Sequence, residues 1–184
     1  MIRIGPAGWS YADWEGIVYP FVKGKKFDPL PYLAGLFDTI EINNTFYRPP
    51  SPQMVKGWVK RVQANPQFRF TAKLYRLFTH EREKLQGPEE NSFKKGLEPL
   101  IENQLLGALL LQFPYSFHFN KENLAYLAEL IKKFFEYPLV LEVRHASWDK
   151  ADAYRFLRAS HTGFCNIDQP QVSYSIGATK KVTS

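Results

Sequence analysis

The sequence predicts an α/β fold, a (β/α)₈ TIM-type barrel that is incomplete, with about six of the eight β/α units in these residues. Short apolar runs alternate with amphipathic stretches, which predicts a parallel sheet with helices outside. The pattern recurs about every 30 residues, the length of one βαβ step. Polar side chains occupy one face of the predicted strands, whereas an open doubly wound sheet has strands that are apolar on both faces. We therefore expect one partial barrel domain over residues 1–184.

The elements follow from local patterns taken in chain order. Strands are predicted at residues 2–7, 39–43, 69–73, 108–113, 139–144 and 163–167. Helical spacing of apolar residues predicts helices over 52–64, 121–135 and 149–159, with another inside 92–103. Asn120 has the side chain of an N-cap for the second of these helices. With two strands missing, the first and sixth strands would be open edges, so we expect either self-association through them or a chain that is part of a longer protein.

The composition indicates what kind of protein this is, but it says little about its activity. The 184 residues carry 45% hydrophobic and 16% aromatic side chains, enough for one well-formed core. A net charge of +6 favours anionic partners, although the basic residues are scattered and the densest cluster is only Lys23, Lys25 and Lys26. A solvated, soluble surface is the alternative explanation of that charge. We expect a small anionic ligand and at most weak nucleic-acid binding.

Several classes of site are excluded or unsupported. A single cysteine, Cys165, rules out a disulfide within the chain and a cysteine-based zinc site. No phosphate loop, dinucleotide fingerprint or nucleophile elbow is present, so the cofactor is unknown. The N-terminal residues lack the profile of a signal peptide, and no apolar run approaches a membrane span, so a cytoplasmic protein without a membrane partner is expected.

Charged and amide side chains fall at the carboxyl ends of the predicted strands. In 39–43, Ile40 and Ile42 alternate with Glu41 and Asn43, and the same alternation places the other polar residues on one face. These residues are Glu41, Asn43, Lys73, Gln112, Glu142, Arg144 and Asp168. The carboxyl ends of barrel strands form the mouth where active sites lie, so the pattern predicts a site there. The alternative is a set of buried ion pairs that only fix strand register.

The loops at the same ends are aromatic and polar. They carry Trp9, then Tyr47 and Arg48, then His80, and finally His145 and Trp148. Aromatic faces beside cations suit a planar or sugar-like ligand that carries negative charge. The two histidines could bind a divalent metal together with Glu41, Glu142 and Asp168, but they lack local ligand spacing, and no metal site is predicted.

Several motifs together resemble the YecE-like family, domain of unknown function 72. The matching pieces are Gly8-Trp9-Ser10-Tyr11, Glu41-Ile42-Asn43-Asn44-Thr45-Phe46-Tyr47, Phe70-Thr71-Ala72-Lys73 with Thr79-His80, Leu111-Gln112-Phe113-Pro114, Glu142-Val143-Arg144-His145 with Ser147-Trp148, and Asp168 with Pro170. The resemblance implies a barrel with a site at its mouth. It also implies loose similarity to phosphate- and sugar-handling barrels, such as apurinic endonucleases and xylose isomerases, from which only an analogy of fold follows.

The sequence departs from that family's pattern in two places. Pro6 stands where the family usually has a small polar residue. Family members also continue beyond this point with an arginine-histidine-glycine strand and a final strand and helix, so we expect a member truncated at its carboxyl end.

Together the residues predict a hydrolase or lyase for a small phosphorylated or sugar-containing substrate. Glu142 would act as general base or acid beside Arg144 and Lys73, and Glu41 completes the catalytic set. Arg144, Lys73 and Arg48 would hold the anion. The remaining substrate contacts would come from Asn43, Gln112, Trp9, Tyr47, His80, His145, Trp148 and Asp168. The alternatives are a non-catalytic nucleic-acid-binding module and an inactive truncated family member.

Overall fold

The structure is a computed structural model, and it describes residues 2–22, 27–82, 87–170, 172–179 and 183. The predicted basic cluster Lys23, Lys25 and Lys26 lies outside the described residues. The fold is α/β, with one parallel sheet in the strand order β1-β2-β3-β4-β5. The strands are β1 Thr39–Ile42, β2 Arg69–Lys73, β3 Leu106–Gln112, β4 Leu139–Glu142 and β5 Gly163–Phe164. The helices are α1 Pro29–Ala34, α2 Pro52–Val62, α3 Pro88–Glu102, α4 Lys121–Lys133 and α5 Ala151–Ala159.

The chain divides into two compact units. Unit 1 comprises Met1–Ala72 and Asn91–Gly107, and unit 2 comprises Lys73–Glu90 and Ala108–Ser184. No helix within the described ranges has both the length and the apolar character needed to cross a bilayer.

In unit 1, β1 and β2 pair in parallel with Thr39 opposite Arg69, and Ile40 opposite Phe70. The period-two pattern of the sequence is visible in the burial, because Ile40 and Ile42 are fully buried while Glu41 is half-buried. Helix α2 begins where Ser51 caps the N–H of Met54 at 3.2 Å, and proline occupies its first turn. Its apolar stripe buries Val55, Trp58, Val59 and Val62.

The predicted strand over residues 2–7 is wrong as a regular strand, because the structure has only one β-bridge there, between Ala7 and Glu41. The segment still runs alongside β1. Glu41 donates its N–H to Pro6 O at 3.0 Å, and Gly8 donates to Glu41 O at 2.9 Å. Proline has no N–H to give to a ladder, which explains why Pro6 interrupts a regular strand. Gly5 has no room for a side chain, since an added Cβ would lie 1.7 Å from Thr39 O.

In unit 2, β4 is paired on both sides. Gln112 of β3 lies opposite Glu142 of β4, and Leu141 of β4 lies opposite Phe164 of β5. Helix α4 starts at the predicted cap, because Asn120 Oδ1 accepts from the N–H of Asn123 at 2.8 Å. The helix ends at Lys133, and its buried face contributes Leu127, Leu130 and Ile131 to the core.

Candidate functional site

Glu142 is the most deeply buried carboxylate at the end of the unit 2 strands, with 6% of its surface exposed. Its Oε1 accepts a hydrogen bond from Gln112 Nε2 at 2.7 Å. The parallel register brings this amide to the carboxylate, since Gln112 lies directly opposite Glu142. The Sγ of Cys165, on the chain after β5, is 4.0 Å from Oε2. The carboxylate is therefore fixed from both neighbouring strands.

Arg144 balances the charge of Glu142. Its Nη2 lies 2.7 Å from Glu142 Oε1, and its Nη1 donates to Gln169 Oε1 at 3.1 Å. The Arg144 side chain is 33% exposed, whereas that of Glu142 is 8% exposed. A guanidinium has five N–H groups. The described contacts use two of them, so the exposed part of Arg144 retains donors for a ligand.

Arg144 opens onto a pocket of about 320 Å³, which we call the anion pocket after the ligand that we propose for it. Its wall includes a cation, an imidazole and two carboxamides, together with aromatic and apolar side chains. The lining residues are His80, Gln112, Phe113, Pro114, Tyr115, Arg144, Gln169, Pro170, Val172 and Ser175. The volume lies at the lower end of the range for small-molecule sites.

A π-helical turn, Leu77–Glu81, carries His80 to the anion pocket. Such turns are rare and occur frequently at functional sites. The turn ends at Arg82 in the left-handed region, with φ 53°. Thr79 Oγ1 lies 2.9 Å from His80 Nδ1 and holds the imidazole through a fully buried hydroxyl. Tyr126 of α4 donates its hydroxyl to Phe78 O at 2.7 Å and anchors the same turn.

The surroundings of His80 disfavour its charged form. Burial lowers the pKa of its imidazole below the ordinary value of 6.5, and the guanidinium groups of Arg76, Arg82 and Arg144 lower it further. The carboxylate of Glu81 acts in the opposite direction. Burial and the three guanidinium groups therefore favour the neutral imidazole of His80.

A second histidine lies on the segment that follows β4. The His145 ring stacks on that of His118, with centroids 3.9 Å apart, and its Nδ1 accepts from the N–H of Ser147 at 3.1 Å. Burial lowers the pKa of His145, and the neighbouring His118 adds to this effect. The His118 ring and the Ser147 N–H both favour a neutral His145 ring. His145 also caps the short helix Ala146–Trp148.

The remaining predicted residues of unit 2 differ in their positions. Lys73 ends β2 and is half-buried, and Asp168 is exposed on the chain after β5. Trp148 lies in the core, because it has no exposed surface and its indole N–H donates to Phe117 O at 2.7 Å. Trp148 therefore supports the loop from beneath and presents no free face to a ligand.

The predicted residues of unit 1 lie around the carboxyl end of β1. Asn43 is half-buried directly after the strand, and Trp9 is half-buried in the loop that follows residues 2–8. Glu41 is on β1 itself, and its backbone exchanges hydrogen bonds with Pro6 and Gly8. Tyr47 is 67% exposed, and Arg48 is exposed as well.

A metal centre has no support in the part of the chain that the structure describes. No group of three or more histidine, cysteine, aspartate or glutamate side chains there is placed to hold an ion. The two histidines and three acids considered from the sequence are not brought together as ligands.

Seven of the ten residues that line the anion pocket were not predicted as site residues from the sequence, and Gln169 and Tyr115 are among them. Gln169 binds Arg144, and Tyr115 forms a wall and packs edge-on against His145 at 5.0 Å. Gln169 lies between Asp168 and Pro170 of the motif. Its amide has no charge and no periodic position, and nothing local distinguished it from a loop residue.

Comparison with known proteins identifies the family. The model of the family described as "Protein of unknown function DUF72" matches residues 3–184. The UPF0759 protein YunF of Bacillus subtilis is 30% identical over 181 residues, which cover 94% of this chain and 62% of YunF. The chain thus spans less than two thirds of the length of that relative.

Two solved structures are similar in fold over the whole chain. A DUF72 family protein from Thermotoga maritima has a TM-score of 0.84 and 33% identity, and the match covers 100% of this chain and 71% of that one. A DUF72 family protein from Enterococcus faecalis has a TM-score of 0.84 and 27% identity, with 100% and 67% covered. The chain belongs to the DUF72 family.

Proposed function

We propose that the anion pocket binds a small phosphorylated or sugar-containing anion and that the chain acts on it as a hydrolase or lyase. The observation that carries this proposal is the position of Arg144. It is partly exposed at the pocket, fixed by Glu142 and Gln169, and shares the pocket with the neutral imidazole of His80. A guanidinium held in place loses less entropy when it binds a phosphate or carboxylate.

The strand order supports an incomplete (β/α)₈ barrel as the setting of this site. The strands follow one another in sequence order, from β1 to β5, without the reversal that marks a doubly wound sheet. Successive parallel strands in one direction are typical of barrels, whose sites lie at the carboxyl ends of the strands. Gln112 and Glu142 occupy the last positions of β3 and β4, which agrees with that location.

In the proposed reaction His80 takes part in proton transfer, and Glu142 has a positioning role. Glu142 is a fixed carboxylate whose Oε1 is occupied by Gln112 and Arg144. His80 is a neutral imidazole that can accept a proton at pH 7, and Thr79 fixes its ring. Hydrolysis and elimination both require a group that takes a proton and a group that stabilises developing negative charge. His80 would fill the first role and Arg144 the second, while Glu142 holds Arg144 in place.

The other predicted residues have weaker support. Lys73, at the end of β2, is proposed as a further cation for the anion, and Asp168 and His145 as polar contacts. Glu41, Asn43, Trp9, Tyr47 and Arg48 belong to unit 1 and are not assigned to the anion pocket, whose lining residues all belong to unit 2.

Calorimetric titration with inorganic phosphate tests the proposal. The native chain should bind phosphate at one saturable site, and Arg144→Met should weaken binding roughly 10- to 100-fold, as expected for loss of charge-assisted hydrogen bonds. Arg155→Met is the matched control, because Arg155 pairs with Asp152 on the exposed surface of α5. Equal affinities for the Arg144→Met and Arg155→Met variants would refute the proposal.

A further inference from the structure

We infer that unit 1 carries a separate binding site for the ring of a neutral sugar. The site is a pocket of about 320 Å³ beside the end of β1, formed by residues 8–11 and 42–44, which we call the sugar pocket. Its lining residues are Gly8, Trp9, Ser10, Tyr11, Ile42, Asn43 and Asn44. This inference does not rest on the proposed function of unit 2, because the residues and their chemistry are different.

The sugar pocket has a rigid aromatic wall. Trp58 meets the Trp9 ring edge-on at 5.5 Å between centroids, and Phe70 packs against it at 6.1 Å. Both supporting rings are buried, at 4% and 0% exposure. Trp9 itself is half-buried, so part of its ring remains available at the pocket. The apolar C–H face of a pyranose packs well on such an aromatic surface.

The polar groups of the sugar pocket are neutral. The side chains of Trp9, Ser10, Asn43 and Asn44 make no hydrogen bond with residues 2–22, 27–82 or 87–107. A carboxamide both donates and accepts, and a hydroxyl does the same, which matches the hydroxyl rim of a sugar. None of the described residues that line the pocket carries a charged side chain. An anionic ligand would find no counter-charge among these lining residues, whereas a neutral polyhydroxylated ring can use both their donors and their acceptors.

The backbone holds these groups in position before a ligand arrives. Gly8 has a φ of 89°, a backbone conformation that other residues rarely adopt, so a substitution at this turn would be strained. Thr45 donates its hydroxyl to Ile42 O at 3.1 Å, and Phe46 donates its N–H to Asn43 O at 3.1 Å. The short helix Asn44–Phe46 therefore fixes Asn43 and Asn44 without using their side chains. Such preorganisation reduces the entropy lost on binding.

The geometry distinguishes a sugar from a nucleotide. A nucleobase could also pack on Trp9, but the phosphate of a nucleotide would find no cation among the lining residues. An uncharged nucleoside remains a competitor and is included in the test.

NMR titration of the isotopically labelled chain with D-xylose and with methyl glucoside tests the inference. The Trp9 indole N–H and the Asn43 and Asn44 side-chain amides should shift together and saturate. The Asn43→Ala/Asn44→Ala variant should bind at least about fivefold more weakly, in line with the loss of neutral hydrogen bonds. Asn91→Ala, an exposed position on α3 in the same unit, should bind as the native chain does.

Two further variants distinguish loss of the sugar pocket from a folding defect and from failure of the anion pocket. Ser10→Ala changes an exposed side chain and should weaken sugar binding without altering the urea midpoint, so a folding defect in the double variant leaves the inference testable. Arg144→Met should bind the sugars normally while it loses phosphate, which separates failure of this site from failure of the anion pocket. Absence of saturable shifts, or tighter binding of uridine or adenosine than of either sugar, would overturn the inference.

Discussion

Replacing Arg144 by methionine should destabilise the chain because it leaves the Glu142 carboxylate buried without its cation. Removing one partner of a fully buried ion pair costs about 3–5 kcal/mol. Arg144 is 33% exposed, so water replaces part of the lost interaction, and Gln112 still donates to Glu142 at 2.7 Å. We therefore expect the free energy of unfolding to fall by about 2 kcal/mol.

The control is the same substitution in an exposed pair. Arg155 lies 2.8 Å from Asp152, and their side chains are 75% and 68% exposed. Exposed pairs of this kind contribute about 0.5 kcal/mol or less. Arg155→Met should therefore change the free energy of unfolding much less than Arg144→Met does.

A double-mutant cycle isolates the interaction itself. Glu142→Gln combined with Arg144→Met leaves no unpaired buried charge, so the double variant should be more stable than the two single losses predict, by about 1 kcal/mol. Urea unfolding followed by circular dichroism and tryptophan fluorescence supplies all four free energies. A coupling near zero, or equal losses for Arg144→Met and Arg155→Met, would refute the assignment of a fixed Glu142–Arg144 pair.

Three further predictions concern the imidazole of His80, two helical glycines and the net charge of the chain. The pKa of His80 is lowered in the folded chain, so the unfolded chain binds the proton more readily. The free energy of unfolding should therefore fall as the pH decreases below about 6.5. His80→Gln should reduce that pH dependence, as measured by urea unfolding at pH 7.5 and 5.5. Gly96→Ala in α3 should lower the free energy of unfolding by about 1–3 kcal/mol, because the new Cβ would lie 2.2 Å from Pro50 O. Gly57→Ala in α2 places its Cβ where nothing lies within 4 Å, so it should raise the free energy of unfolding by up to about 1 kcal/mol in the same assay. The net charge of +6 without a clustered basic tract predicts only weak DNA binding that disappears with added salt, and tight binding that survives moderate salt in a titration with labelled DNA would contradict this.

Much of the fold could be predicted from local pattern. Strand β2 has the predicted bounds. Phe70 and Ala72 are buried and alternate with the half-buried Thr71 and Lys73, as the period-two pattern predicts. Helix α4 begins at the predicted cap, since an asparagine before an amphipathic run has a specific hydrogen-bonding role. Local pattern failed at residues 2–7, where apolar residues suggested a strand but Ile2 and Ile4 are 87% and 70% exposed.

Some contacts of the candidate site could be predicted from local pattern, and others could not. Period two combined with parallel register was sufficient to bring Gln112 and Glu142 together, because both rules act over a few residues. The π-helical turn under His80, the Gln169 contact and the burial of Trp148 depend on packing between segments distant in sequence. No local period encodes such contacts, so they could be found only from the three-dimensional structure.

The central claim is that the strand-end charges of unit 2 form a ligand site, and a crystal structure of the chain grown in phosphate tests it most directly. The claim predicts an anion in the anion pocket, within hydrogen-bond distance of the Arg144 guanidinium and beside the His80 ring. An empty pocket at saturating phosphate, or Glu142 and Arg144 side chains directed away from it, would contradict the claim.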